Sequence, residues 1–186
     1  MSSLQIRPGS SADIEAIHAI YAWNVQHGTG TFELEPPTPA EMAQRHADVL
    51  AKGLPWLVAE QDGVVLGYAC ASPFRPRLAF RFGLEDSIYL APGAHGRGIG
   101  RLLLAELIGR CQAIGARQLF AVIGDSDNAG SIGVHRACGF TDVGVMRAAG
   151  WKFDRWLDVV LMQRTLGPGD STQPQEYAPA PQGDTA

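Results

Sequence analysis

Four glycines fall within eight residues, from Gly93 to Gly100, immediately before a leucine-rich run. Glycine adopts backbone conformations that other residues avoid, and its lack of a side chain lets a ligand approach the main chain closely. The first N–H groups of a helix have no partner within the helix and lie at the positive end of its dipole, which suits them to bind anions. Arg97 and Arg101 add positive charge to this segment. The pattern therefore predicts a phosphate-binding turn at the start of a helix.

The spacing of these glycines separates the turn from two familiar phosphate-binding motifs. Gly96-x-Gly98-x-Gly100 lacks the Lys-Ser/Thr ending of a P-loop and does not match the G-x-G-x-x-G pattern of dinucleotide-binding folds. It also lies past the midpoint of the chain, whereas a dinucleotide fingerprint usually follows the first strand. A glycine-rich connection without a ligand is the alternative, and the flanking segments must decide between the two interpretations.

The elements on either side position the turn. Residues 84–90 predict a strand directly before it, and the leucine-rich run predicts a helix through Ile114 with Gly115 as its C-terminal stop. The other predicted elements, in chain order, are a strand at 4–7, a helix after Ser10, a helix from Thr38 to about residue 51, strands at 56–60 and 64–71 joined by an Asp-Gly turn, a strand at 118–123, a short helix from Asn128 to Gly139, and strands at 141–147 and 156–165. This order contains both hairpins and crossovers and predicts a mixed α/β fold.

Composition bounds the class of protein. A chain of 186 residues with 46% hydrophobic content suits one domain with a sizeable core. A net charge of -4 and the absence of any Lys/Arg-rich run argue against nucleic acid as a partner. No apolar run approaches the length of a membrane span, and residues 1–7 lack the order of a signal peptide. We therefore expect a soluble cytoplasmic protein with no membrane partner.

The end of the chain differs from the rest. Residues 167–186 are rich in Gly, Pro, Gln, Ser, Thr and Asp and contain hardly any apolar residues, so they predict a disordered tail after a domain that spans residues 1–166.

The positions of the cysteines and of two tryptophans predict buried side chains rather than metal-binding or ligand-binding residues. Cys70, Cys111 and Cys138 lie in apolar segments without metal-ligand spacing, so we expect reduced buried thiols and no metal. Trp23 and Trp56 are expected in the core.

The segment His95-Gly96-Arg97-Gly98-Ile99-Gly100, between a predicted strand and a long helix, resembles the acetyl-CoA loop of the GNAT superfamily of N-acetyltransferases, whose pattern is Arg/Gln-x-x-Gly-x-Gly/Ala. The resemblance covers residues 4–166 and is greatest to the phosphinothricin and methionine sulfoximine acetyltransferases. It is carried by four further segments, Pro73-Phe74-Arg75, Glu85-Asp86-Ser87-Ile88-Tyr89-Leu90, Asn128-Ala129-Gly130-Ser131-Ile132-Gly133-Val134-His135 and Lys152-x-x-Arg155-Trp156-x-Asp158. The resemblance implies the GNAT fold, with a mixed, mostly antiparallel central sheet and helices on both faces.

Two positions depart from the family pattern. His95 stands where Arg or Gln is usual, and Asp154 stands where glycine is common. Main-chain N–H groups do most of the phosphate binding, so we expect His95 to preserve that function, whereas Asp154 puts the local turn in question.

By this resemblance acetyl-CoA is the co-substrate. Its pyrophosphate would lie on Gly96 to Arg101, and its pantetheine arm would pair with the strand that ends at Leu90. Asn128 would hydrogen-bond the pantetheine, cap a helix, or do both. The implied cofactor-binding residues are Ile88, Tyr89, Leu90, His95, Gly96, Arg97, Gly98, Ile99, Gly100, Arg101 and Asn128.

The resemblance also assigns catalytic roles. Acetyl transfer needs a neutral amine, and Glu85 matches the position of the family's general base. The main-chain N–H of Leu90 would stabilise the oxyanion. His135 lies where many members have a tyrosine that protonates the leaving thiolate, and its alternatives are a substrate-orienting or a structural role.

The acceptor site is assigned in the same way. Arg75, Arg77 and Arg81 share one parity in an extended chain, so their guanidinium groups would line one side and could grip an acidic group of the acceptor. A solvated basic loop is the alternative. The implied substrate-binding residues are Phe32, Phe74, Arg75, Arg77, Glu85, Asp86 and Ser87.

The resemblance therefore implies an acetyl-CoA-dependent N-acetyltransferase that acts on the α-amine of a small compound such as phosphinothricin, methionine sulfoximine or methionine sulfone. Direct attack in a ternary complex is expected because no cysteine has an evident base beside it. The alternatives are another amine, such as a polyamine or a protein N-terminus, and a non-catalytic CoA-binding sensor. A polyamine site would have an acidic lining. The family also suggests a homodimer.

Overall fold

The computed structural model describes residues 3–175, which form seven strands and four helices. The strands are β1 (Gln5–Pro8), β2 (Trp56–Gln61), β3 (Val64–Pro73), β4 (Gly83–Leu90), β5 (Gln118–Gly124), β6 (Thr141–Lys152) and β7 (Arg155–Thr165). The helices are α1 (Ile14–His27), α2 (Pro39–Ala51), α3 (Ile99–Ala113) and α4 (Ala129–Ala137). Within the described residues, no helix is long and apolar enough to cross a lipid bilayer.

All seven strands join one sheet in the order β1-β2-β3-β4-β5-β7-β6. Neighbouring strands are antiparallel except β4 and β5, which are parallel. The predicted mixed, mostly antiparallel sheet is confirmed. The parallel pairing covers only Gly83 to Glu85 against Gln118 to Phe120, after which the two strands separate. This separation creates an opening in the middle of the sheet.

Helices cover both faces of the sheet, as predicted. On one face α3 buries Leu103, Leu104 and Leu107 completely, together with residues of the central strands. On the other face α1 and α2 contribute a second core that contains Ile17 and Met42. Burial of these apolar side chains is the main term that holds the helices on the sheet.

A helix cap and a tight turn form at the positions that the sequence predicts. The Thr38 hydroxyl accepts a hydrogen bond from the N–H of Glu41 at 3.2 Å, and the Glu41 carboxylate accepts one from the N–H of Thr38 at 2.6 Å. This capping box starts α2. Asp62 and Gly63 have φ of 54° and 77° and form the tight turn between β2 and β3.

The turn between β6 and β7 forms despite the aspartate at position 154. Phe153 and Asp154 both lie in the left-handed region, with φ of 53° and 54°, between the paired residues Lys152 and Arg155. Aspartate tolerates this conformation better than most residues, whereas glycine adopts it without strain.

The predicted extended arginine segment is wrong. A 3₁₀ turn at Leu78–Phe80 interrupts the chain between β3 and β4, so Arg75, Arg77 and Arg81 do not share one side of a strand. The prediction of a buried Trp56 is confirmed, and so is that of three buried free thiols.

The start of the predicted tail packs on the domain. Residues 167–175 form turns, and the Arg117 guanidinium donates hydrogen bonds to the carbonyl oxygens of Gly169 at 2.9 Å and Gln173 at 3.1 Å. Residues 167–175 thus contact the domain in this structure, and the disorder of the tail stays a prediction. Residues 176–186 of the predicted tail lie outside the described residues.

Candidate active site

A cleft of about 890 Å³ occupies the opening between β4 and β5. One wall is the outer half of β4, and the other is the end of β5 with the start of α4. The glycine turn and residues 28–32, which follow α1, also line the cleft. The position at which β4 and β5 separate therefore determines where the cleft begins.

The glycine turn has the geometry of an anion-binding site. Gly93, Gly96 and Gly98 have φ of 79°, 74° and 78°, a conformation that residues with a Cβ rarely adopt. Gly98 is the N-cap of α3 and its carbonyl accepts the first bond of the helix, from the N–H of Leu102 at 3.2 Å. The N–H groups of residues 99–101 precede that bond and have no partner within the helix.

Most of the predicted cofactor residues lie together on the cleft. Those that line it are Ile88, Tyr89, Leu90, His95, Gly96, Gly98, Ile99, Gly100, Arg101 and Asn128. Arg97 does not line it, because its guanidinium donates a hydrogen bond to Gln61 Oε1 at 2.7 Å, on the turn between β2 and β3. In this structure the Arg97 side chain is therefore directed to the turn between β2 and β3.

Asn128 has the predicted capping role. Its Oδ1 accepts a hydrogen bond from the N–H of Ser131 at 3.1 Å, and its Nδ2 donates one to the Gly124 carbonyl at 3.0 Å. These contacts join the end of β5 to the start of α4.

Successive residues of β4 face opposite sides of the sheet. Glu85 lies on the side of α1 and α2, at the last position that pairs with β5. Its carboxyl group is half-buried and lines the cleft. Burial raises the pKa of Glu85 above 4.5, the positive charge of Arg75 opposes this rise, and the negative charge of Asp86 adds to it. A raised carboxylate pKa brings the group closer to the range in which a general base works best.

Asp86 and His135 form a buried pair on the opposite side of β4. His135 Nε2 lies 2.9 Å from Asp86 Oδ2, and His135 Nδ1 lies 2.7 Å from the carbonyl oxygen of Ser131. Burial opposes the charged imidazole, but the hydrogen bond and charge of Asp86 outweigh it and raise the pKa of His135 above 6.5. Both ring nitrogens are therefore occupied. Asp86 contacts His135 through Oδ2, whereas its buried Oδ1 has no hydrogen-bond partner among the described residues.

The predicted acceptor residues divide into two groups. Phe32, Glu85, Asp86 and Ser87 line the cleft, whereas Phe74, Arg75 and Arg77 do not. Phe74 stacks on Phe120 with ring centroids 4.0 Å apart, and the Arg75 guanidinium lies 4.2 Å from the centre of the Phe74 ring. Arg75 is exposed beside the cleft, close enough for its charge to lower the pKa of Glu85.

Several cleft residues were missed by sequence reasoning. Trp23, expected in the core, is half-buried at the cleft and stacks on His27 with centroids 5.0 Å apart. Asn24 donates hydrogen bonds to the carbonyl oxygens of Ile20 at 2.8 Å and Leu90 at 3.1 Å. Nothing in the sequence distinguishes Asn24 from the other polar residues of α1, which include Glu15, His18 and Gln26.

The acidic end of β5 also lines the cleft. Asp125 and Asp127 follow the strand directly, and Arg155 Nη2 lies 2.8 Å from Asp125 Oδ2. Residues that follow the carboxyl end of a strand often contribute to ligand sites in α/β proteins, so this signal was available in the sequence.

Comparisons with known proteins agree on one family. The Acetyltransferase (GNAT) family matches residues 17–140. The chain is 56% identical over 163 residues to the phosphinothricin N-acetyltransferase of Alcaligenes faecalis, which covers 88% of this chain and 83% of that protein. It is 42% identical to the L-methionine sulfoximine/L-methionine sulfone acetyltransferase of Pseudomonas paraeruginosa, over 89% of this chain and 96% of that protein.

A solved structure shares the same architecture. The GNAT superfamily phosphinothricin acetyltransferase from Sinorhizobium meliloti, crystallised in complex with AcCoA, superimposes with a TM-score of 0.91 at 49% sequence identity. The match covers 95% of both chains.

Proposed function

Since the chain belongs to the GNAT family of acetyltransferases, we propose that it transfers the acetyl group of acetyl-CoA to the α-amine of a small amino-acid-like compound of the phosphinothricin, methionine sulfoximine or methionine sulfone type. The observation that carries the proposal is the position of Glu85. Its carboxyl group lies where β4 and β5 separate, inside a cleft that leads to an anion-binding helix N-terminus.

Acetyl-CoA would enter from the glycine turn. Its diphosphate suits the N–H groups of residues 99–101, which have no partner within α3, and Arg101 adds a positive charge at the cleft. The pantetheine arm would follow the part of β4 from Ile88 to Leu90, beyond the end of the pairing with β5. The thioester would then lie between Leu90 and Glu85.

The chemistry follows from this placement. A free amine is largely protonated at neutral pH, so the Glu85 carboxylate takes its proton, directly or through water. The neutral nitrogen attacks the thioester carbonyl, and the Leu90 N–H stabilises the oxygen that becomes negative. Collapse of this intermediate breaks the carbon–sulfur bond and releases the CoA thiolate. Asn24 supports this role of Leu90, because its hydrogen bond to the Leu90 carbonyl fixes the end of β4.

No covalent acetyl-enzyme is part of the proposal. Cys70 and Cys111 are buried, and burial raises the pKa of each thiol to about 12. A thiol of that pKa is a poor nucleophile at neutral pH, and direct attack in a ternary complex is the simpler route.

His135 is assigned a structural role rather than that of the acid. Its two nitrogens are hydrogen bonded to Asp86 and to the Ser131 carbonyl, so a proton for the thiolate would have to leave an existing bond. The pair instead joins α4 to β4 and fixes the wall of the cleft opposite Glu85.

Arg75 remains the candidate for recognition of an acidic group on the acceptor. It is exposed at the edge of the cleft, and its charge acts on Glu85, so an amino acid could place its amine at Glu85 and an anionic group towards Arg75. Two of the four acids that line the cleft are paired, Asp86 with His135 and Asp125 with Arg155, which lowers the negative charge that a polyamine would need.

The proposal includes a homodimer. β6 forms an edge of the sheet, and its outer part presents exposed apolar side chains. Those on β6 and β7 are Val143, Val145, Met146, Trp151 and Trp156. An exposed apolar patch on an edge strand is a template for association with a second copy of the chain. Light scattering should therefore give a dimeric mass, and Trp156→Lys should shift the mass towards the monomer.

The function is tested by thiol release from acetyl-CoA with a panel of amines. The panel contains the three amino-acid analogues, ordinary amino acids, spermidine and a short peptide. The proposal expects the analogues to react fastest. Faster turnover of spermidine or the peptide would overturn the acceptor assignment, and binding of acetyl-CoA without turnover of any amine would favour a CoA-binding sensor.

A further inference from the structure

The segment between α1 and α2 lines the cleft, and hydrogen bonds join it to β5 and β6. Residues 28–32 line the cleft, and Phe32 contributes a partly exposed ring. The Tyr21 hydroxyl lies 2.9 Å from Thr31 Oγ1, and the Thr29 hydroxyl donates to the Gly124 carbonyl at 3.3 Å. The segment therefore has a defined conformation although it contains no helix or strand.

A buried lysine on β6 makes two of these contacts. Lys152 is 3% exposed, and its Nζ donates hydrogen bonds to the carbonyl oxygens of Gly28 at 3.0 Å and Thr31 at 2.9 Å. Its neighbours Trp151 and Phe153 are exposed, so Lys152 is the inward-facing residue at the end of the strand. Burying an ammonium group costs free energy that an apolar residue would avoid, and the two carbonyl groups offset that cost.

Two glycines leave room for the Phe32 ring. A Cβ on Gly150 would lie 2.4 Å from two carbon atoms of the ring, and a Cβ on Gly124 would lie 2.9 Å from another. Neither glycine has a positive φ, so close packing rather than the backbone conformation requires glycine there. At Gly150 the neighbour is the ring, and at Gly124 the neighbours are the Thr29 carbonyl oxygen and the ring. Gly150 and Lys152 are both inward-facing and only two residues apart on β6.

We propose that Lys152 and Gly150 are positioning residues for acceptor selectivity, because together they hold Phe32 as a wall of the end of the cleft that receives the acceptor. Lys152 fixes the backbone at Gly28 and at Thr31. The absence of a side chain at Gly150 lets the Phe32 ring pack directly against β6. This inference rests on the proposed function, which identifies the part of the cleft beside Phe32 as the part that binds the acceptor. Phe32 then limits the size of the acceptor's side chain, while Lys152 and Gly150 do not line the cleft themselves.

Two variants test the inference, each with a matched control. Lys152→Met keeps the length of the side chain and removes the donors, and Lys52→Met alters the other lysine of the chain, which is exposed at the end of α2. Gly150→Ala displaces the Phe32 ring, and Gly144→Ala adds the same methyl group to β6 where no atom lies within 4 Å. Steady-state kinetics on the full amine panel give KM for each acceptor and for acetyl-CoA.

We expect the two variants to change KM for the acceptor but not KM for acetyl-CoA. Lys152→Met and Gly150→Ala should raise KM for the preferred acceptor about tenfold and change the order of preference between small and large side chains, with little change in KM for acetyl-CoA. The two controls should match the wild type. Equal losses for both substrates, or an unchanged order of acceptors in folded variants, would overturn the inference.

Hydrogen exchange supplies a readout that does not depend on the acceptor. In Lys152→Met the amides of residues 28–33 should exchange faster, while those of α3 keep the wild-type rate. Unchanged exchange at residues 28–33 would overturn the inference whichever amine the enzyme uses. If spermidine or the peptide is the preferred acceptor, the proposed function fails, but the KM split for that amine still decides the role of Lys152 and Gly150.

Discussion

Glu85 pairs with Phe120 at the last position where the parallel strands β4 and β5 are joined. One residue further along, the sheet has opened, and the cleft that we propose for both substrates begins. The same register places Asp86 on the other side of β4, against His135. Two adjacent carboxyl groups thus have different environments, one half-buried at the reaction site and the other buried in an ion pair.

Removal of Arg75 should change the pH dependence of the reaction. The Arg75 charge lowers the pKa of Glu85 against the upward effect of burial, so Arg75→Ala should raise that pKa further. Because the base must be ionised, the acid limb of the kcat/KM profile should move to higher pH. Arg77→Ala is the matched control, since Arg77 is a neighbouring exposed arginine. An identical acid limb in Arg75→Ala and the wild type would mean that Glu85 does not control this limb.

A bulky residue at the start of α3 should weaken cofactor binding. A Cβ on Gly100 would already lie 3.7 Å from Leu90, and the methyl groups of Gly100→Val would reach further into the cleft. The dissociation constant for acetyl-CoA should rise at least tenfold, about 1.4 kcal/mol, by calorimetry. Gly109→Val, on the same helix with no atom near its Cβ, should bind like the wild type. Equal affinities in all three proteins would remove the glycine turn from the binding site.

The buried pair of His135 and Asp86 should contribute more to stability than an exposed pair. His135→Ala leaves the Asp86 charge buried without its partner, and such a loss costs about 3–5 kcal/mol of unfolding free energy. Arg136→Ala, which removes the adjacent exposed pair with Asp142, should cost little. Denaturant unfolding measures both variants. Full stability of His135→Ala with a large loss of kcat would instead assign His135 to catalysis.

This pair also predicts a direction for the pH dependence of stability. The pKa of His135 is raised in the folded state, so its contribution is complete below the unfolded value of about 6.5 and is lost as the pH rises through the folded value. The difference in unfolding free energy between the wild type and His135→Ala should therefore shrink with rising pH. A difference that is constant with pH would show that the ring does not change its charge in this range.

Truncation should separate the two parts of the C-terminal segment. A chain that ends at residue 166 loses the carbonyl groups of Gly169 and Gln173 that accept hydrogen bonds from Arg117, so its melting temperature should fall. A chain that ends at residue 175 keeps these contacts and should melt like the full chain. Identical melting of the two truncated chains would show that the Arg117 contacts contribute nothing.

Much of the fold follows from local signals in the sequence. The capping box at Thr38, the Asp-Gly turn at residues 62–63 and the glycine turn before α3 each depend on a few adjacent residues, and each was predicted. The arginine segment was not, because Pro76 and a 3₁₀ turn interrupt the extended chain that the residue parity required.

The candidate site was predictable only in part, since it depends on contacts between distant residues. The cleft exists because β4 and β5 stop pairing at Glu85, and periodicity does not report where a pairing ends. Lys152 belongs to a segment that carries the family resemblance, but its hydrogen bonds to Gly28 and Thr31 join residues more than 120 positions apart in the chain. Trp23 was assigned to the core because an aromatic residue on an apolar helix gives no sign that a cleft lies beside it.

The pH profile of Glu85→Gln tests the central claim most directly. The glutamine keeps the shape of the side chain and removes the base, so kcat at pH 7 should fall by about 10² to 10⁴ while the affinity for acetyl-CoA is retained. Activity should partly recover at high pH, where the amine is already neutral, and Glu106→Gln on the exposed side of α3 should behave like the wild type. A folded Glu85→Gln variant that turns over at the wild-type rate at pH 7 would contradict the account.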